Sequence, residues 1–87
     1  MIGCRLLPDV DLPYEAESQL EPGGYTKVRQ GKLWIVRAPN GDLGCIRPTI
    51  HKVTEHEDGT ITVSPSIQFM TGEGWHGYLE RGVWRAC

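Results

Sequence analysis

Eighty-seven residues, eleven of them glycine and six proline, with a formal charge of −2, make one small domain, near the size where a single apolar core is only just sufficient. Such dense punctuation suits short strands and tight turns rather than long helices. No apolar run approaches the roughly 20 residues of a membrane span, and the weak net charge lacks the basic footprint of a duplex-binding domain. Membrane and nucleic-acid partners are therefore set aside.

The charge is uneven. Residues 1–22 carry Asp9, Asp11, Glu15, Glu17 and Glu21 against Arg5 alone, a net of −4, whereas residues 23–87 carry eight Lys or Arg against six acids, a net of +2. The opening Met-Ile-Gly-Cys-Arg-Leu-Leu-Pro has neither the charged nor the apolar region of a secretory signal. Cys4, Cys45 and Cys87 cannot all pair within the chain and form no Cys-x-x-Cys motif, which fits a reducing cytoplasm. With Met1 at the start, a stand-alone unit is expected.

Residues 1–22 are expected to form an irregular, poorly anchored acidic arm. Pro8, Pro13 and Pro22 interrupt it, and only residues 15–20 suit a helical turn. Leu6, Leu7, Val10, Leu12 and Tyr14 would anchor such an arm if its acidic strip met a partner. A single β domain is expected over residues 23–87. Strands are predicted at 25–29 and 33–37, around a tight turn at Gln30-Gly31. The run 33–36 about Trp34 is continuously apolar, as in a strand buried on both faces. Pro39-Asn40-Gly41-Asp42 marks the next turn, with Asn-Gly supplying positive φ, and a strand at 43–47 ends at Pro48.

The span 53–67 sets a hairpin about Glu57-Asp58-Gly59. A two-residue turn would pair His56 with Ile61 and mix polar and apolar residues on both faces. A three-residue loop with Gly59 left-handed pairs His56 with Thr60, Thr54 with Thr62 and Val53 with Val63. That register collects Lys52, Thr54, His56, Thr60, Thr62 and Ser64 on one face and Val53, Ile61 and Val63 on the other. It is preferred, because a one-residue slip would turn every side chain over. His56 then faces solvent, and His51 falls on the core side, or at its edge, with Glu55. A break at Ser64-Pro65-Ser66 precedes a strand at 67–70 and a loop at 71–74. Strands at 75–80 and 83–85 flank Arg81-Gly82. Seven or eight short strands predict an all-β antiparallel meander, as a sandwich or partly open barrel.

Chemistry is sparser. Cys45, His51, His76 and Cys87 offer zinc-type ligands without the close pairs that structural sites use. A Cys45 dyad with His51 or His76 has no activated-thiol context around it. Gly72-Glu73-Gly74 lacks the lysine and following helix of a phosphate loop. The expectation is therefore no enzyme, no metal and no cofactor. Trp75, Tyr78 and Trp84 lie in the last hairpin with Arg81 and Arg85 interleaved, the residue types enriched at binding hot spots. They are also natural core fillers. Trp84, close to the end of the chain, is taken as the best exposed anchor, with Arg85 and Arg81 beside it on a hairpin that forms a sheet edge.

Pro22-Gly23, the strand at 33–36, Asn40-Gly41, the run 58–67 ending Ser64-Pro65-Ser66-Ile67, and His76 followed by Leu79 and Val83 together resemble a small phage and bacterial family of unknown function. The resemblance covers roughly residues 22–85. It implies a zinc site built from clustered cysteines in the middle strands and another just before the late His. This chain departs there: residues 36–40 contain no cysteine and position 73 is Glu. The site looks dismantled, with His76, Cys45 and His51 as remnants. The resemblance further implies a non-enzymatic phage or prophage accessory protein in the bacterial host cytoplasm. It would bind a host or phage protein and counteract host defence. A small zinc-binding structural protein or a virion component is the alternative.

Overall fold

A computed structural model describes residues 1–7, 12–69 and 72–87. Among them the chain forms strands β1 (Cys4–Arg5), β2 (Gly24–Val28), β3 (Leu33–Arg37), β4 (Leu43–Ile46), β5 (Lys52–Glu55), β6 (Ile61–Gln68), β7 (His76–Glu80) and β8 (Val83–Ala86), with one helix, α1 (Pro13–Gln19). The strands make two four-stranded sheets, ordered β1-β2-β3-β4 and β5-β6-β7-β8. Only β1 and β2 pair in parallel. The all-β expectation holds, as an open two-sheet sandwich. Pro8, Asp9, Val10, Asp11, Met70 and Thr71, which the sequence reading placed in the arm or at the strand-to-loop step, lie outside the described residues.

Alternation builds the core. Tyr25, Trp34, Val36 and Ile46 of the first sheet face Ile61, Val63, Ile67, Leu79 and Trp84 of the second. The middle hairpin has the expected three-residue loop. Val53 opposes Val63 and Thr54 opposes Thr62. The His56 N–H donates to the Thr60 carbonyl at 2.8 Å, and Gly59 sits at φ 87°. Asp58 closes the loop by accepting from the Thr60 N–H at 3.0 Å and the Thr60 hydroxyl at 2.6 Å.

Three expectations need correction. Residues 1–22 are not an irregular, loosely held arm where described. The Gly3 N–H donates to Gly82 O at 2.7 Å and the Trp84 N–H to Met1 O at 2.8 Å, after which β1 runs beside β2. Downstream, α1 buries Ala16 and Leu20 against Val28 and Ile35. An i, i+4 apolar pair in a seven-residue segment is a weak sequence signal, and its partners come from distant strands. Second, Ser64-Pro65-Ser66 is no break. β6 runs through it with a cis bond at Pro65 and a shift in its register with β7. Third, Gln30-Gly31 belongs to a longer left-handed turn. Arg29 (φ 51°) and Gln30 (φ 57°) precede Gly31 (φ 86°), and a left-handed backbone costs a side-chain-bearing residue about 1–2 kcal/mol. By contrast, the expectation that β3 is buried on both faces holds. Trp34 and Val36 point into the sandwich, and Ile35 lies under α1.

Candidate binding surface

The last hairpin turns at Arg81 and Gly82, both left-handed (φ 47° and 75°), as a two-residue connection requires. Its register opposes Tyr78 to Arg85, Leu79 to Trp84 and Glu80 to Val83. Directly opposed residues share a face, so Leu79 and Trp84 go inward together while Tyr78, Arg85, Glu80 and Val83 go outward. Trp84 is therefore not the exposed anchor that the sequence suggested. It is 2% exposed, its indole N–H donates to Gly23 O at 2.8 Å, and its ring meets Trp75 edge-on at 5.3 Å. Trp75, half-buried, also stands edge-on to Phe69 at 6.1 Å and belongs to the core margin. The expected free edge is not there either, because residues 1–3 pair along β8.

What remains outside is a compact mixed surface. Ile2 bridges to Val83, and the two are 82% and 38% exposed beside Tyr78 at 41%. The Arg85 guanidinium lies 5.7 Å from the Tyr78 ring centroid and pairs with Glu80. Arg81 is exposed at the turn, where its N–H donates to Thr62 Oγ1 at 3.0 Å. Tyr78 and Arg85 thus share a surface, with Ile2 and Val83 as apolar neighbours that the sequence did not single out, whereas Arg81 lines a separate hollow with Glu55, His56, Glu57 and Asp58.

The metal remnants divide. His76 Nε2 lies 3.1 Å from Ser66 Oγ and 3.9 Å from Cys87 Sγ, and the His51 Nε2–H donates to the Ser66 carbonyl at 3.3 Å. Cys45 sits on β4, in the other sheet. Among the described residues no three His, Cys, Asp or Glu side chains are grouped to hold a metal ion. The Ser66–His76–Cys87 contacts are open to water, and open contacts supply little of the desolvation or fixed geometry that activates a nucleophile. All three cysteines are free and exposed. His56 is half-buried rather than fully solvated, since its ring shares a 2.6 Å hydrogen bond with Thr62, its diagonal neighbour.

Two carboxylates, both missed as such in the sequence, tie the sheets together. Asp42 accepts from the N–H of Glu73 at 3.0 Å and of Trp75 at 3.3 Å, and from the Asn40 side chain at 3.0 Å. The glycine-rich loop thus does cradle an anion, one that the chain itself supplies. The Asn40 bond first, then the loop N–H groups, hold the Asp42 carboxyl below its usual range. Glu55 is likewise held low, chiefly by the 2.7 Å bond from Lys27 and then by Arg5 at 3.3 Å. Both cations also lie over the Trp34 ring.

Comparison with family models, curated proteins and solved structures finds no match to this chain. No helix among the described residues is long and apolar enough to cross a membrane.

Proposed function

We propose that the protein is a non-enzymatic binding domain that engages another protein through the outer face of its last hairpin. The observation that carries this reading is the exposed strip of Ile2, Val83 and Tyr78 with Arg85 laid against the tyrosine ring. Tyrosine supplies a large contact area at small ordering cost, and tyrosine and arginine are enriched at binding hot spots. The resemblance of residues 22–85 alone supplies the setting, a phage or prophage accessory protein in the host cytoplasm acting against a defence component.

The test pairs affinity capture from the native host with melting curves, using wild-type protein and a Tyr78→Ala, Arg85→Ala double variant as baits. The partner retained by wild type should be lost from the variant, because hot-spot truncation removes about 2 kcal/mol or more. The variant should melt close to wild type, since outward-facing changes shift stability by about 0.5 kcal/mol each. Equal capture by both baits would refute this surface. Recovery of the protein in purified virions at stoichiometric levels would favour a structural component instead.

A further inference from the structure

A second surface, on the opposite sheet, carries a different partner chemistry. Three of its cations are Arg29 and Lys32, in the left-handed β2–β3 turn, and Arg47, just past β4. They rim one groove of about 480 Å³ floored by Leu33 and Ile35, with Glu17 as the one acid in its lining. Of the other cations, Arg5 and Lys27 meet Glu55, Arg85 meets Glu80, and Arg37 meets the carbonyls of Leu20, Gly41 and Glu17, while Lys52 and Arg81, at the other sheet, do not line this groove. Among the described residues Arg29, Lys32 and Arg47 take part in no ion pair. Three unneutralised cations around an apolar floor are half of a charge-complementary contact.

The groove runs along an edge strand, at its Cys45 end. β4 is the last strand of its sheet. The Ala38 N–H donates to Asp42 O at 2.7 Å, and alternation along the β3–β4 ladder then turns the Cys45 N–H and C=O outward. On the inner side of the same edge lies a second hollow, of about 250 Å³, lined by Val36, Gly44, Ile67 and Phe69. Gly44 keeps that side low, since a Cβ there would stand 2.7 Å from the Phe69 ring. A strand with a hollow on each face matches an added strand, whose side chains would alternate between the two.

We infer that the β4 edge docks an extended acidic peptide segment of a partner protein. Its acidic side chains meet Arg29, Lys32 and Arg47, and its apolar ones enter the hollow beside Phe69. The groove lining holds no aromatic ring on which a nucleic-acid base would stack, so a peptide is the better occupant. The strained backbone at Arg29 adds weight, because glycine would sit there more comfortably and only the arginine brings a charge.

Fluorescence anisotropy on the full chain tests this with a labelled peptide of about eight residues alternating valine and glutamate. Saturable binding is expected, weakened about tenfold by Arg47→Ala and by Arg29→Gly. Arg29→Gly should keep or raise the melting temperature, so that lost binding is not lost folding. Gln30→Gly relieves the same kind of strain without removing a cation and should leave binding unchanged. Bound peptide should slow alkylation of Cys45 and not of Cys4 or Cys87. The inference is overturned if a valine–lysine peptide binds as well, if both arginine variants bind normally, or if Cys45 stays unprotected. Tighter binding of a single-stranded oligonucleotide of equal charge would also overturn it, as would a chain dimer through this edge that the peptide fails to displace.

Discussion

Trp84 joins three parts of the molecule. Its ring packs against Trp75 and the core, its indole N–H reaches Gly23 at the start of β2, and its backbone N–H holds Met1. Truncation to alanine should cost about 3–5 kcal/mol and strand the Gly23 carbonyl. Trp84→Phe keeps most of the volume and should cost about 1–3 kcal/mol through that lost hydrogen bond. Urea unfolding of the two variants measures both, and a wild-type midpoint for Trp84→Ala would return this residue to the surface. The alternation of Val83 and Arg85 against Trp84 was legible in the sequence. Which side faced inward was not, because it depends on residues 1–3 covering the edge of β8, and these are remote in sequence from Trp84.

Elements held by local chemistry were read well. The β5–β6 hairpin follows from a turn glycine and a period-two pattern, so loop and register both emerge from about ten residues. Helix α1 shows the opposite case. It has Pro13 in its first turn and no side-chain cap, and seven residues of ordinary propensity do not hold a helix alone. What keeps it is the patch of Val28 and Ile35 that β2 and β3 present on their outer face. Ile35→Ala should therefore cost about 2–5 kcal/mol. It should also speed amide exchange in α1 more than in β6. Thr54→Ala, on the exposed outer side of β5, should stay within about 0.5 kcal/mol of wild type. Uniform exchange across α1 and β6 in Ile35→Ala would mean that the helix has no stability of its own to lose.

At the scale of the whole molecule, the sheets are linked at their margins by charge. Glu55 meets Arg5 and Lys27, and Asp42 meets the loop before β7. Both carboxyls are held below their ordinary values in the folded state, so the folded chain resists protonation that the unfolded chain accepts. That stabilisation is complete above the ordinary carboxylate range of about pH 4 and is lost as pH falls through the lowered folded values. Thermal melts should be level from neutral pH down to about pH 5 and then fall. Glu55→Gln should begin less stable and show a shallower acid limb. Higher salt should shrink the difference, because the Glu55 side chain is 43% exposed and so open to screening. An unchanged acid limb in Glu55→Gln would remove Glu55 as a contributor. None of these links was visible in sequence, and neither was the groove at β4. Arg29, Lys32 and Arg47 come together only once β3 has folded back between them.

The pairing of residues 1–3 with β8 also bears on how the chain is made. In synthesis Met1 precedes by 83 positions Trp84, whose carbonyl accepts from the Met1 ammonium. Through that interval the opening segment has no strand to lie against, and the sandwich lacks the indole that completes its interior. Contacts this far apart in sequence close late and slowly. Nascent chains that stop short of β8 therefore carry an unsealed margin and uncovered apolar surface, the condition in which aggregation competes with folding.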